Sequence, residues 1–201
     1  MSKKEHSTID NLQVLFEDNH LIVINKRPGD IVQGDKTGDQ PLSDTVKVFI
    51  KKKYNKPGNV YLGVVHRLDR PTSGIVVFAK TSKALPRLNK MFAEQNKSYA
   101  HIKEVSESKK AILTYRTLKK LDRYFLLEVD LETGRHHQIR SQLTAIGCPI
   151  KGDLKYGFNR SNEDGSIHLH ARKLRLMHPV KKEPLEIIAP PPNDPIWNAC
   201  L

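Results

Sequence analysis

The sequence predicts an α+β fold with a mixed, largely antiparallel central sheet flanked by helices. Short runs rich in β-branched residues alternate with segments whose apolar residues recur at helical spacing, without internal repeats or low-complexity segments. A chain of 201 residues with 38% hydrophobic content is long enough to bury one proper core. We therefore expect a single domain over residues 14–201, preceded by an N-terminal extension of residues 1–13.

Two amphipathic helices are predicted in the first half of the chain. The first is stopped by Pro57 and Gly58, and its apolar residues recur at helical spacing. These residues are Leu42, Val46, Phe49 and Ile50. The second helix begins at Ser82, a plausible N-cap, and turns three apolar residues to one side. They are Leu85, Leu88 and Phe92.

The loop between two β-branched runs, residues 61–65 and 75–79, is the most informative part of the chain. Both runs have the composition of short buried strands, so the loop presents Asp69 on a rigid base. Arg67 and Arg70 flank this aspartate, and nearby positive charge favours the ionised carboxylate. Such a group can act as a nucleophile, a base or a cation stabiliser, but it is poorly suited to act as an acid. The alternative is a surface aspartate paired with its neighbours.

The second half of the chain is predicted to add a strand, a helix and an irregular tail. Alternation over residues 125–131 predicts a strand with one face in the core. Gly134 then turns the chain into a third helix, which ends at Gly147. The apolar stripe of this helix consists of Ile139, Leu143 and Ile146. The tail, residues 189–193, is rich in proline and cannot join the interior of a sheet.

The chain is strongly basic, with a formal net charge of +12 and a sequence pI near 9.7. This charge is expected of a protein that meets phosphate backbones, and the alternative is a soluble protein with a solvated basic face. Basic runs recur along the chain and do not collect in one tail, which favours a folded basic surface over a disordered arm. Examples are residues 51–53, 109–110 and 119–120.

Composition also predicts the compartment. Cys148 and Cys200 give neither a disulfide framework nor a metal-binding cysteine pair, as expected in a reducing cytosol. Residues 1–10 are charged and lack the apolar segment of a signal peptide, and no run approaches the length that spans a membrane. We expect a cytoplasmic monomer that does not associate with membranes.

Two histidine pairs are candidate catalytic groups or metal ligands. They are His136 with His137 and His168 with His170, the second pair on a probable strand. Neither pair has a carboxylate or cysteine at ligand spacing, so the sequence disfavours a metal site. The segment of residues 72–74 lacks the elbow pattern of a serine nucleophile and is predicted to shape the Asp69 loop instead.

Residues 66–74 resemble the His-Arg-Leu-Asp-x-x-Thr-Ser-Gly signature of the RluA family of pseudouridine synthases, which isomerise uridine to pseudouridine in structured RNA. Residues 133–140 are similar to the family's Thr-Gly-Arg-x-His-Gln-hydrophobic-Arg motif. Further segments with family counterparts are residues 14–29, a strand pair in the family, and residues 147–153, 169–171 and 178–179. Coincidence explains these matches poorly, because they follow in family order and cover nearly the whole chain.

The resemblance implies one pseudouridine synthase catalytic domain over residues 14–201. Its catalytic residue would be Asp69, and Arg140, Arg67 and His66 would bind the substrate. Arg140 would face the catalytic carboxylate, and Arg67 would fill the space left by the flipped nucleotide or contact its phosphates. The reaction breaks the C1′–N1 bond and rejoins the rotated uracil through C5, so it needs no metal, redox group or nucleotide cofactor. Whether Asp69 attacks C1′ or removes a 2′ proton stays open.

One departure from the family pattern concerns its base-stacking tyrosine. Tyr99 is the only tyrosine between Phe92 and Ala111, and polar residues follow it where the family has an apolar strand. The connection to the next predicted strand is also much shorter than in the family. Either the chain is a compact version in which Tyr99 stacks on the base, or the stretch that holds the tyrosine strand is missing. The second alternative is favoured.

Structured RNA, either ribosomal RNA or transfer RNA, is therefore the expected partner. Only a short segment precedes Val14, too short for the S4 RNA-binding domain that many family members carry, so we expect target choice to rest on the catalytic domain. The main alternative is an RNA-binding or ribosome-assembly protein that keeps the fold without catalysis. A nucleoside-cleaving hydrolase is disfavoured, because no second carboxylate accompanies Asp69 as its acid partner.

We predict that affinity for RNA falls steeply as salt concentration rises, because basic residues that contact phosphates release counterions. The measurement is equilibrium binding to a structured RNA over a series of monovalent salt concentrations. A flat dependence would contradict the RNA-binding role.

Overall fold

Strands and helices interleave along residues 5–95 and 110–200, the part of the chain that the computed structural model describes. The strands are β1 (Val14–Glu17), β2 (Leu21–Lys26), β3 (Gly63–Val64), β4 (Ser73–Ala79), β5 (Leu113–Lys120), β6 (Phe125–Leu131), β7 (His170–Ala171), β8 (Lys173–Met177) and β9 (Pro184–Ile188). The helices are α1 (Leu42–Lys53), α2 (Ala84–Gln95), α3 (Gln138–Ala145) and α4 (Pro195–Cys200), with a 3-10 helix at Leu154–Tyr156. The predicted α+β class is confirmed.

The central sheet contains β1, β2, β4 and β3 side by side in that order, and each neighbouring pair is antiparallel. Strand β7 pairs in parallel with the beginning of β4. Strands β5 and β6 form a separate two-stranded antiparallel sheet, as do β8 and β9. This arrangement confirms the prediction of a mixed, largely antiparallel sheet.

Strands β2 and β4 are buried along their whole length. Because successive residues of a strand point to opposite faces, each of these strands supplies two cores. On β2, Leu21 and Val23 join the core that contains residues of α2 and β9, whereas Ile22 and Ile24 join the core that contains residues of α1. A strand covered on both faces needs a continuous apolar run, and this is what the sequence contains at both strands.

Both helices predicted in the first half are present, with changes at their ends. Helix α1 ends at Lys53, ahead of Pro57, and Asn55 then takes a left-handed conformation with φ of 47°. The prediction of Ser82 as the N-cap of α2 is wrong. The cap is Thr81, whose hydroxyl accepts a hydrogen bond from the backbone N–H of Ala84 at 3.2 Å, as a capping side chain does.

Two apolar faces predicted in the second half are only partly buried: Leu143 of α3 lies in a small core cluster and Ile139 packs against it, but other residues of both faces are exposed. Strand β6 is present, but Phe125 and Leu131 are 60% and 49% exposed, because β6 pairs with a strand that is itself exposed. Leu127 packs beside a small cluster that contains Leu143 of α3. Ile146 is 55% exposed because it follows α3 as its C-cap and is not part of the apolar stripe.

The described part of the predicted N-terminal extension, residues 5–13, lies against the central sheet. The backbone N–H and the side-chain amide of Asn25 donate hydrogen bonds to the carbonyl and the side chain of Gln13, both at 2.9 Å. The hydroxyl of Ser7 donates to Asp30 at 2.6 Å. The boundary at residue 14 stays a prediction.

Tyr99, on which the two interpretations of the base-stacking position depend, lies outside the described residues. Within residues 5–95 and 110–200, no helix combines the length and the apolar character needed to cross a membrane.

Candidate active site

Asp69 lies in a loop that is tied to the end of β2 by a buried cation. The backbone N–H of Thr72 donates to the Asp69 carbonyl at 3.0 Å and closes the loop on itself. Beneath the loop, Lys26 is 1% exposed, and its ammonium donates to the carbonyls of Thr72 at 2.6 Å and Arg70 at 3.2 Å. Burial lowers the pKa of Lys26 to about 8, although Asp30 and Asp69 oppose this effect. One cation thus fixes the loop from below.

The far end of the loop is fixed by a close approach between β4 and β7. Gly74 has φ of 114°, and a Cβ atom there would lie 2.5 Å from the backbone of Ala171. Only glycine fits, because any side chain would be strained and would clash. Next to it, the hydroxyl of Ser73 lies 2.8 Å from Nδ1 of His170. These contacts give residues 72–74 the loop-shaping role that the sequence predicts.

Arg140 of α3 holds two carboxylates at once. Its Nη1 donates to Oδ2 of Asp69 at 3.0 Å, while Nε and Nη2 donate to the two oxygens of Asp153 at 2.7 and 2.8 Å. The hydrogen bonds to Asp153, and then the one to Asp69, raise the pKa of Arg140 further, so the guanidinium is charged. A planar fork supplies these three directed donors, whereas a lysine ammonium would not.

Asp153 reaches Arg140 because of a glycine turn after α3. Gly152 has φ of 87°, and a Cβ atom there would lie 2.6 Å from the carbonyl oxygen of Ser166. The backbone N–H of Asp153 donates to the carbonyl of Ile150 at 3.0 Å. The side chain of Asp153 is 2% exposed, against 27% for Asp69, so only Asp69 of the two carboxylates is accessible.

The expectation that Arg67 and Arg70 hold the charge of Asp69 needs correction. Arg70 pairs with Asp39 in a neighbouring exposed loop. The counter-ion of Asp69 is Arg140, which no local pattern in the loop reveals. Arg67 is exposed at the wall of the cleft next to Asp69, and no hydrogen bond or ion pair within the described residues fixes its side chain.

His66 supports the sheet from the edge of the same loop. Its Nε2 accepts a hydrogen bond from the backbone N–H of Val77 at 3.1 Å, just beyond the two-residue strand β3, so the imidazole replaces a strand partner. The ring stacks on Phe92 with centroids 4.7 Å apart. Burial lowers the pKa of His66 to about 4, so the ring is neutral at physiological pH. Because Nε2 is engaged with Val77, the predicted contact of His66 with substrate would have to use its other ring atoms. This contact stays a prediction.

His136 and His137 do have a carboxylate beside them, contrary to the expectation from spacing. Nε2 of His137 lies 3.4 Å from Oδ2 of Asp69, and its Nδ1 lies 2.9 Å from the hydroxyl of Tyr156. One atom each from Asp69, His136 and His137 lies within 4.8 Å of the others, a separation that a metal ion could bridge. The guanidinium of Arg140 already occupies the same carboxylate and repels a further cation, so the arrangement disfavours a metal.

The second histidine pair serves the C-terminal segment. His168 precedes β7 and is not part of it, and its Nε2 lies 2.9 Å from Asp194. Its ring stacks on Trp197 of α4, with centroids 5.4 Å apart. His170 lies in β7 and links Ser73 to the carbonyl of Ala189. Both side chains are thus engaged in holding the C-terminal segment against the sheet.

Asp69 opens into a cleft of about 940 Å³. Its walls come from residues 31–35, the Asp69 loop, α2 and residues 131–140. Arg67, Arg135 and His136 give the lining a basic character. Ligand sites typically enclose about 300–1,000 Å³, so the cleft can receive a nucleotide.

Three functional candidates escape the sequence analysis. The sequence could have pointed to Lys26, because it directly follows an apolar run. A lysine at such a position is buried with the strand and its ammonium must find hydrogen-bond partners. Asp153 has a weaker signal, the glycine before it. Tyr156 has none, since only the folded chain brings its hydroxyl to His137.

Comparison with known proteins identifies the family. The family model for RNA pseudouridylate synthase matches residues 20–145. The chain is also 32% identical to an uncharacterised RNA pseudouridine synthase of Bacillus subtilis, over 94% of this chain and 71% of that protein. The chain belongs to the RNA pseudouridylate synthase family, and the prediction of an RNA pseudouridine synthase, an isomerase, is confirmed.

Other relatives agree. A protein of Vibrio cholerae named tRNA pseudouridine synthase C is 29% identical over 94% of both chains, and its alignment of 240 residues is longer than this chain of 201. A ribosomal large subunit pseudouridine synthase D of Zymomonas mobilis is 30% identical over 91% of this chain and 70% of its own. The human RNA pseudouridylate synthase domain containing 4 has the same fold, with a TM-score of 0.74 and 22% identity over 94% of this chain and 91% of that one.

We predict that His66 makes stability depend on pH. Its pKa is about 4 in the folded protein against the usual 6.5, so as the pH falls the unfolded chain takes up the proton first. The free energy of unfolding should therefore fall by about 2–3 kcal/mol as the pH drops from 7 to 4, and be fully recovered above the unfolded pKa.

The measurement is urea denaturation at several pH values for the wild type and for His66→Gln, whose amide oxygen can still accept from Val77. Other histidines titrate in both proteins, so the difference between the two profiles isolates His66. Parallel profiles would contradict the assignment.

Proposed function

We propose that this RNA pseudouridine synthase uses Asp69 as its reacting carboxylate, on uridines of ribosomal or transfer RNA in the cytoplasm. The observation that carries the proposal is the asymmetry of the two carboxylates on Arg140. Asp153 is enclosed and takes two of the guanidinium donors, whereas Asp69 takes one donor and keeps access to the cleft. A carboxylate that is charged, held and accessible suits attack on a sugar carbon or removal of a sugar proton.

The contacts of Asp69 favour a base or nucleophile over an acid. The guanidinium of Arg140 donates to its Oδ2 at 3.0 Å, so this oxygen acts as a hydrogen-bond acceptor. Lys26 adds a second positive charge below the loop. A general acid needs the opposite environment, in which the proton is retained at working pH. Both the C1′ route and the 2′ route remain compatible with this geometry.

The cleft suits a base that has left its stack. Uridine must be flipped out to expose C1′ and C5, and this costs a few kcal/mol, least in an RNA loop. Arg67, exposed on the cleft wall beside Asp69, is positioned to fill the space of the flipped nucleotide or to bind its neighbouring phosphates. Arg135 and His136 line the same opening and can bind further phosphates.

The proposed targets follow from the relatives and from the charge. The Vibrio relative is named for tRNA and the Zymomonas relative for the ribosomal large subunit. A net charge of +12 suits a structured polyanion of either kind. Both targets are found in the cytoplasm, which agrees with the two free cysteines, Cys148 and Cys200.

We predict that Asp69→Asn abolishes pseudouridine formation, because the amide can neither attack C1′ nor take a proton. The measurement is pseudouridine mapping by carbodiimide-dependent primer-extension stops. It is made on ribosomal and transfer RNA from cells that lack the gene and are complemented with the wild type or the variant. A stop that is absent in the deletion and returns only with the wild type identifies the target and supports the role of Asp69.

The matched control is Asp44→Asn, which removes a carboxylate that is 50% exposed on α1 and lies outside the cleft. It should restore the stop as the wild type does. A stop restored by Asp69→Asn would contradict the role of Asp69. If none of the three proteins restores a stop, the result would favour the non-catalytic RNA-binding alternative.

A further inference from the structure

His137 has a backbone conformation that a histidine does not favour. Its φ and ψ are 54° and 22°, in the left-handed region, at the residue before α3. Asn55 and Lys182 are the other non-glycine residues with positive φ in the described part of the chain, and neither lines the cleft. Glycine or asparagine would hold this turn with less strain, so the turn alone does not account for the imidazole.

The side chain of His137 spans the distance from Tyr156 to Asp69. Its Nδ1 lies 2.9 Å from the Tyr156 hydroxyl, and its Nε2 lies 3.4 Å from Oδ2 of Asp69. An ionised carboxylate can only accept, so the Nε2 that faces it must carry the proton. Nδ1 of the neutral ring is then an acceptor, and the tyrosine hydroxyl donates to it. Asp69 therefore selects the tautomer, and Tyr156 holds the ring by its hydroxyl.

His137 is kept neutral by its surroundings. The side chain is 11% exposed and stacks on His136 with centroids 3.8 Å apart. Burial lowers the pKa of His137, and the charges of Arg140 and Lys155 act in the same direction, while Asp69 opposes them. The ring thus lies against Asp69 without adding a second full charge beside Arg140.

Arg140 and His137 approach the same oxygen of Asp69, Arg140 by a hydrogen bond of 3.0 Å and His137 by a longer contact of 3.4 Å. Nη1 of Arg140 and Nε2 of His137 both contact Oδ2. Within residues 5–95 and 110–200, no such contact is made to Oδ1. A carboxylate held by one oxygen on two sides cannot rotate freely, so its other oxygen has a fixed direction.

We propose that His137 is a positioning residue for the isomerisation: with Arg140 it holds Oδ2 of Asp69, so that Oδ1 is the oxygen that meets the ribose. This inference rests on the proposed role of Asp69 and adds the residue that orients it. Tyr156 acts one step further away, by holding the ring of His137 through its hydrogen bond to Nδ1. His137 itself needs no contact with the substrate.

The reaction supplies a direct readout. The electrons of the C1′–N1 bond leave with N1, C5 forms the new bond to C1′, the C5 hydrogen departs as a proton, and N1 gains a proton. Tritium at C5 of uridine is therefore released to water once per turnover. The probe is ribosomal and transfer RNA from the deletion strain, labelled with tritium at C5, and excess protein gives a single-turnover rate.

The test compares His137→Asn with His137→Gln. Asparagine relieves the left-handed turn but is too short to reach Asp69, whereas the amide of glutamine can take the position of Nε2. We expect His137→Asn to lower the rate by about 10-fold or more, with affinity for the RNA pool within about twofold and an unchanged or higher urea midpoint. His137→Gln should recover most of the rate.

Two further variants complete the test. Lys182→Asn relieves the other strained turn, between β8 and β9, and should leave the rate unchanged. Tyr156→Phe should lower the rate in the wild type but not further in His137→Asn, because it acts through His137.

A wild-type rate in His137→Asn would overturn the inference, as would glutamine performing no better than asparagine, or a rate and a urea midpoint that fall together. Absence of tritium release by the wild-type protein, or release by Asp69→Asn, would instead defeat the proposed function.

Discussion

The site depends on the hydrogen bonds that the guanidinium of Arg140 donates to two carboxylates. This guanidinium joins Asp69, in the loop between β3 and β4, to Asp153, in the turn after α3. Asp153 is almost fully enclosed, so its charge needs a partner, and removing one member of a buried pair typically costs about 3–5 kcal/mol. The same cation orients Asp69. The hydrogen bond between Arg140 and Asp69 thereby joins α3 to the loop of the central sheet, in addition to apolar packing.

The surrounding structure limits where that pair can lie. Strands β2 and β4 are covered on both faces, so the ends of the Asp69 loop cannot shift without disturbing two cores. Lys26 fixes the loop from below, and Gly74 allows β4 and β7 to approach closely at its far end. Asp69 is thus carried on a loop tied to two strands that are buried on both faces, while the opening of the cleft is lined by exposed and basic residues.

Local patterns predicted the elements well and the partnerships poorly. The apolar runs at β2 and β4 indicate buried strands because both faces are covered, and α1 appears at the expected spacing. The cap at Thr81 was missed by one residue, since capping depends on which hydroxyl the backbone brings to Ala84. The face of β6 was misjudged because alternation indicates a two-sided strand but cannot say what covers either side.

In the site, too, the residues are predicted better than their partners. The sequence singles out Asp69 by its loop and Arg140 by the family motif, and the structure brings the two together. Arg70, which was expected to hold Asp69, pairs with Asp39 instead. Asp153 has only a weak sequence signal and Tyr156 has none, because their contacts exist only once α3 and the following turn have folded over the loop. Sequence proximity predicts which charges could pair, whereas the fold decides which ones do.

The most direct test of the bridging role is the single-turnover rate of Arg140→Lys on RNA labelled with tritium at C5. Lysine keeps the positive charge for Asp153 but cannot supply three directed donors, so Asp69 loses its orientation. We expect a protein that folds and binds RNA, with a rate lowered by about 100-fold or more. A wild-type rate in Arg140→Lys would mean that charge alone suffices and that the planar bridge does not organise the site.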